Sequence, residues 1–94
     1  MNPLGESLWK RLTRFPGSLH RATAALRLQY VCRELGEFAA RHQGALVEDK
    51  RLSVALHYRL APDCADAASA LAEGLAARAG GALRLQRGKM VVEL

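Results

Sequence analysis

The sequence predicts an α+β fold of layout αββαββ: a four-stranded antiparallel sheet with two helices on one face. Three observations carry this expectation. Apolar residues recur at three- and four-residue steps between residues 18 and 42, the period of a helix with one buried side. Strict two-residue alternation runs from Leu52 to Arg59, and an alternating pattern returns in Ala82 to Gln86 and in Lys89 to Leu94, as expected of half-buried strands. A second helical stretch follows Pro62 and ends at Gly80-Gly81. Each αββ unit is too small to bury its own apolar face, so the two share one sheet and both helices cover a single side. The pattern leaves the strand order open.

With 94 residues the chain makes one small domain, burying about 60–70% of the surface its unfolded form exposes. Half of the residues are apolar and 24% are charged, which excludes disorder as the main state. A formal charge of +5 favours an anionic partner, but the basic residues are scattered without a run of like charges. Cys32 and Cys64 fall at apolar helical positions without nearby Cys or His. They are read as buried thiols in a reducing compartment, not as metal ligands. No apolar run approaches the ~20 residues of a membrane span, and Glu6, Lys10 and Arg11 interrupt any signal-peptide core. A soluble, cytoplasmic protein without a membrane partner is expected.

Residues 1–17 form an irregular basic lead-in bounded by Pro3 and by Phe15-Pro16-Gly17. Leu8, Leu12 and Phe15 share one side of a short amphipathic stretch, with Trp9 nearby. It is expected to dock on its own protein or to link to another segment, in preference to lying on a membrane. The domain proper spans residues 18–94. Ser18 is placed as the cap of the first helix, with Ala24, Leu28, Val31, Cys32, Leu35, Phe38 and Ala39 on its apolar stripe. Gly36 weakens the interior of that helix, and Gly44 supplies a left-handed stop.

The first hairpin runs from Ala45 to Asp49 and from Leu52 to Arg59, with a tight turn expected around Asp49. Leu52, Val54, Leu56 and Tyr58 take the core side, and Ser53, Ala55, His57 and Arg59 take the other. Pro62 ends the strand and Asp63 is placed as the cap of the second helix. That helix carries Cys64, Ala67, Ala68, Leu71 and Leu75 as its stripe, with Asp66 and Arg78 matched to its dipole. The last two strands, Ala82 to Gln86 and Lys89 to Leu94, are joined by a turn at Arg87-Gly88. If both helices cover the Val54, Leu56 and Val92 side, the opposite face is open. It carries Glu48, Lys50, Ser53, His57, Arg59, Arg84, Lys89 and Glu93, with Leu46 and Val91. Carboxylates accept hydroxyl protons and cations meet phosphate, so such a face suits a hydroxyl-rich anionic ligand. The competing reading is a merely solvated sheet face.

The run Val47 to Arg59 (VEDKRLSVALHYR), followed after a helix by Gly88 to Leu94 (GKMVVEL), resembles the cap domain of trehalose-6-phosphate phosphatases. These belong to the haloacid dehalogenase superfamily with the type IIB inserted cap. The likeness covers about the last two-thirds of the chain, two motifs in order with a helix between. It implies an αββαββ cap that grips the sugar phosphate while a separate Rossmann-like core performs the hydrolysis. By the same resemblance, Glu48 and Glu93 hold glucosyl hydroxyls. Lys50 and Arg59 meet hydroxyls or the phosphate end of trehalose 6-phosphate. His57 and Lys89 give support in the same motifs.

The chemistry of that family uses an aspartate nucleophile, a second aspartate two residues on, and further carboxylates holding magnesium. Asp49, Asp63 and Asp66 are the aspartates of this chain and none is two residues from another. No catalytic residue is therefore assigned, no cofactor is expected within these residues, and magnesium belongs to the core that they lack. His20, His42 and His57 stand in no recognisable nucleophile motif, and the chain has neither a glycine-rich phosphate loop nor a zinc pattern. The alternative function is a small basic module that binds RNA or a protein partner through the same open face. RNA is disfavoured because base-stacking sheets present aromatic side chains, whereas Tyr58 takes the core side.

Overall fold

The computed structural model of the chain describes residues 23–94; the lead-in and Ser18 lie outside them. Helix α1, Ala24–Arg41, starts where Thr23 takes an extended backbone and its side-chain oxygen accepts the Leu26 N–H at 3.2 Å. A threonine hydroxyl thus satisfies one of the amides that the first helical turn leaves unpaired. The cap of the described helix is Thr23, not Ser18. Tyr30, Val31, Leu35 and Phe38 are its buried residues. Ala24 is exposed, and the sequence reading omits Tyr30, whose ring lies under the Arg78 guanidinium at 5.2 Å. Cys32 is only half-buried, whereas Cys64 is buried.

After α1 the chain turns at Gly44, with φ +102°, and its Cα approaches the Leu60 backbone closely. Strands β1, Leu46–Asp49, and β2, Val54–His57, pair antiparallel, with Glu48 opposite Ala55 and Leu46 opposite His57. The hairpin turn sits at Arg51-Leu52, later than expected. Asp49 belongs to β1, and its carboxylate accepts the Arg51 N–H at 2.9 Å, so its turn-forming side chain acts two residues on. Arg51 takes φ 76°, and the Leu52 N–H donates to the Lys50 carbonyl at 2.9 Å. This tightness places Leu52 at the tip, 91% exposed, and not in the core as alternation suggested. At its other end β2 stops at His57, and Arg59 is exposed in a turn closed by the Ala61 N–H on the Tyr58 carbonyl.

A 3-10 turn, Pro62–Cys64, leads into helix α2, Ala65–Arg78. Asp63 lies inside that turn and α2 has no side-chain cap: Pro62 draws the first turn into the tighter helix before the α-helix begins. Ala68, Ala72 and Leu75 are the residues α2 buries. Of the expected stripe, Cys64, Ala68 and Leu75 are buried and Leu71 packs against the core cluster, whereas Ala67 is exposed. Strands β3, Gln86–Gly88, and β4, Val91–Glu93, form the second hairpin around Lys89-Met90, with Met90 at φ 61°. Arg87 is therefore a strand residue, not a turn residue. Opposite the core-facing Val92, it points toward α2, where its guanidinium bonds Ser69 and reaches Glu73 at 2.8 Å.

The sheet order is β1-β2-β4-β3, antiparallel throughout. Val54 and Leu94 exchange both backbone hydrogen bonds at 2.9 Å, so the pairing of the central strands extends past β4. The helices pack on the face that holds the buried Val54, Leu56, Val92 and Leu94, with Leu35, Val31 and Leu75 opposite them in one cluster. Leu46, Glu48 and Gln86 on the other face are exposed. This is the α+β arrangement that the sequence predicts, with the second face uncovered by any described element.

Candidate functional site

Strand register lines up the charged residues of the open face. Glu48, Ala55, Glu93 and Gln86 occupy successive strands in one row across all four. At about 4.8 Å between neighbouring strands, the backbones of Glu48 and Glu93 stand roughly 10 Å apart. Ala55 between them is fully buried even though it belongs to this face: its methyl group is shorter than every neighbour. The next row holds Leu46, His57, Val91 and Gly88.

Each carboxylate has a basic partner. Lys50 Nζ lies 3.0 Å from Glu93 Oε1, and the Ser53 hydroxyl donates to Glu93 Oε2 at 2.8 Å. Both oxygens of Glu93 are thus engaged. The Ser53 hydroxyl first, and the Lys50 ammonium next, hold the Glu93 carboxyl below its ordinary range. Glu93 in turn, chiefly through that hydrogen bond, raises the Lys50 ammonium above its usual value. On the other side of Ala55, His57 Nε2 meets Glu48 Oε1 at 2.9 Å, a contact that carries charge only when the imidazole is protonated. The Glu48 side chain is twice as exposed as that of Glu93, 54% against 26%.

Four of the six residues singled out from the sequence, Glu48, Lys50, His57 and Glu93, therefore meet on the open face in two ion-pair groups. The other two lie at the margins. Arg59 is two residues beyond β2, and Lys89 occupies the turn between β3 and β4. Sequence reasoning placed Ser53 on this face without a role. Its signal was there in the spacing: Ser53 is two residues before Ala55, hence diagonal to Glu93 on the same side. Tyr58 is half-buried against the core cluster, and Trp9 and Phe15 lie outside the described residues. Beside Glu93, a shallow pocket of about 240 Å³ is lined by Ser53, Arg84 and Gln86 together with Leu83 and Leu52.

An arrangement of two carboxylates flanked by cationic and hydroxyl groups, open to solvent, can accept protons from ligand hydroxyls and attract an anionic group. None of the aspartates Asp49, Asp63 and Asp66 joins it. Asp49 is occupied by the Arg51 amide, and Asp63 and Asp66 lie in the segment that starts α2, across the core from this face.

The trehalose-phosphatase family model matches residues 16–94. Over 78 residues the chain is 41% identical to a probable trehalose-phosphate phosphatase of Sinorhizobium fredii (strain NBRC 101917 / NGR234), covering 83% of this chain and 29% of that protein. The chain thus spans about three-tenths of the length of the curated relative it matches. With the family match extending over both hairpins and both helices, the chain belongs to the trehalose-phosphatase family.

Proposed function

We propose that this chain is the substrate-recognition cap of a trehalose-6-phosphate phosphatase of the haloacid dehalogenase type, and that it binds the sugar phosphate without hydrolysing it. The observation that carries the reading is the row Glu48, Ala55, Glu93 on an uncovered sheet face, with Lys50 and His57 paired to its two carboxylates. Glu48 and Glu93 take hydroxyls of the sugar; Lys50 and Arg59 supply the positive charge for its phosphate end. His57 and Lys89 support the two hairpins that carry them. Hydrolysis falls to a Rossmann-like core beyond these residues. In this reading magnesium belongs to that core as well.

The setting in this reading is cytoplasmic, in keeping with two free cysteines. Among the described residues no helix is long and apolar enough to cross a membrane. RNA or a protein partner on the same face is the less favoured reading, given the family match and the packing of Tyr58 against the core.

The test is a titration of the full chain with trehalose 6-phosphate, followed by backbone and side-chain chemical shifts. Changes confined to Glu48, Lys50, Arg59 and Glu93 are the expected outcome, at weak affinity because the face is open to water. No change at millimolar ligand overturns the reading. Phosphate release at an enzyme-like rate from the same mixture with magnesium overturns the separation of binding from catalysis.

A further inference from the structure

We propose that Ser53 is a positioning residue for ligand recognition: with Lys50 it fixes the Glu93 carboxylate, one oxygen each, so that the remaining lone pairs of that carboxylate face the ligand in a set orientation. This rests on the sugar-phosphate reading of the open face.

The three residues come from two separate places in the chain. Lys50 and Ser53 flank the hairpin turn, where the Lys50 N–H donates to the Ser53 carbonyl at 2.8 Å. Glu93 arrives on β4, and the paired backbone bonds between Val54 and Leu94 tie the residue after Ser53 to the residue after Glu93. Neither Ser53 nor Glu93 can drift along the strand without breaking that pair. Between Ser53 and His57 on β2, Ala55 leaves only a methyl group, so nothing longer from that strand comes between the Ser53 hydroxyl and the carboxylate.

A glutamate has three rotatable side-chain bonds, and a free one on a sheet surface loses rotamer entropy when a ligand engages it. Here the cost is met before binding, because Oε1 and Oε2 are each held by a donor at 3.0 and 2.8 Å. Each carboxylate oxygen accepts more than one hydrogen bond, so both stay available to ligand hydroxyls. Ser53 contributes what Lys50 alone does not. A lysine ammonium is a mobile point charge that follows a carboxylate through several rotamers, whereas the short serine side chain admits few. Glu48 is met by His57 through one oxygen, and its side chain is more than half exposed; the two carboxylates of the row are unequal in preparation. The depressed Glu93 carboxyl, whose leading cause is the Ser53 hydroxyl, agrees with this geometry.

The experiment compares the full chain with Ser53→Ala and Ser53→Thr in two measurements: the carboxyl-carbon titration of Glu93 without ligand, and the chemical-shift titration with trehalose 6-phosphate. Ser53→Ala should raise the Glu93 titration midpoint and weaken binding about fivefold, the size expected of one hydrogen bond. Ser53→Thr, which keeps the hydroxyl, should restore both. A wild-type chain that binds the sugar phosphate and an Ser53→Ala chain that binds it equally well would overturn the positioning role. An unchanged Glu93 midpoint in Ser53→Ala overturns it too, whether or not ligand binds. A wild-type chain that does not respond to the sugar phosphate sinks the recognition reading itself, a separate result.

Discussion

Lys50 and Glu93 are 43 residues apart in the chain, yet Nζ and Oε1 meet at 3.0 Å. The contact joins the first hairpin to the last strand through β2, the strand that lies between β1 and β4 in the sheet. It makes one surface out of the two sequence motifs.

This pair gives the stability of the chain two pH limbs. The Glu93 carboxyl is more acidic in the folded chain. Its contribution is fully present above the unfolded value of about 4.3 and is lost as pH falls through the lower folded value. The Lys50 ammonium is more basic when folded. Its contribution is fully present below the unfolded value of about 10.4 and is lost as pH rises through the higher folded value. Urea midpoints from about pH 3 to about pH 11 should show a shallower acid limb in Glu93→Gln and a shallower alkaline limb in Lys50→Met. Lys50→Met should keep part of the acid limb, because Ser53 still holds the carboxylate. Both effects are small at an exposed pair and shrink with added salt. An acid limb as steep in Glu93→Gln as in the wild type contradicts the assignment.

Two glycine substitutions should act in opposite directions. At Gly44, φ is +102° and an added Cβ collides with the Leu60 carbonyl, which belongs to backbone and cannot swing aside. Gly44→Ala should cost about 1–3 kcal/mol. At Gly36, inside α1, an added Cβ meets nothing within 4 Å. Gly36→Ala should stabilise by about 0.5–1 kcal/mol. Equilibrium denaturation of both variants at one pH is the check, and equal signs would contradict the close approach at Leu60.

Leu52 and Leu56 share one side of an alternating pattern but not one environment. Leu56 is fully buried, and Leu52 is 91% exposed. Leu56→Ala should destabilise by about 2–5 kcal/mol. Leu52→Ala should stay within about 0.5 kcal/mol. Comparable losses at the two positions would show that β2 begins before Val54.

Patterning alone carried much of this architecture. Helical steps across Val31, Leu35 and Phe38 and alternation at Val54, Leu56 and Val92 identify core-facing positions, because burial of one side of an element imposes its period on the residues. The same alternation put Glu48, His57 and Glu93 on one open face. Its failures fall where local geometry departs from regular helix or strand. Asp49 marks a turn but closes it two residues later, through its side chain. Asp63 looks like a cap but is enclosed in a 3-10 turn started by Pro62. Arg87 next to Gly88 reads as a turn, yet Arg87 is drawn into β3 by Ser69 and Glu73 on α2.

By itself, then, the sequence determined the order of elements, the side of each that is buried and the chemical character of the exposed side. Those properties follow from spacing along one segment at a time. Only the tertiary structure decided that β4 lies against β2 and that Glu48 and Glu93 flank Ala55 in one row. It also decided that Lys50 and Ser53 together hold Glu93. Strand order and register depend on contacts between residues some 40 positions apart, and these are settled by packing two helices on one face of the sheet, which no local period records.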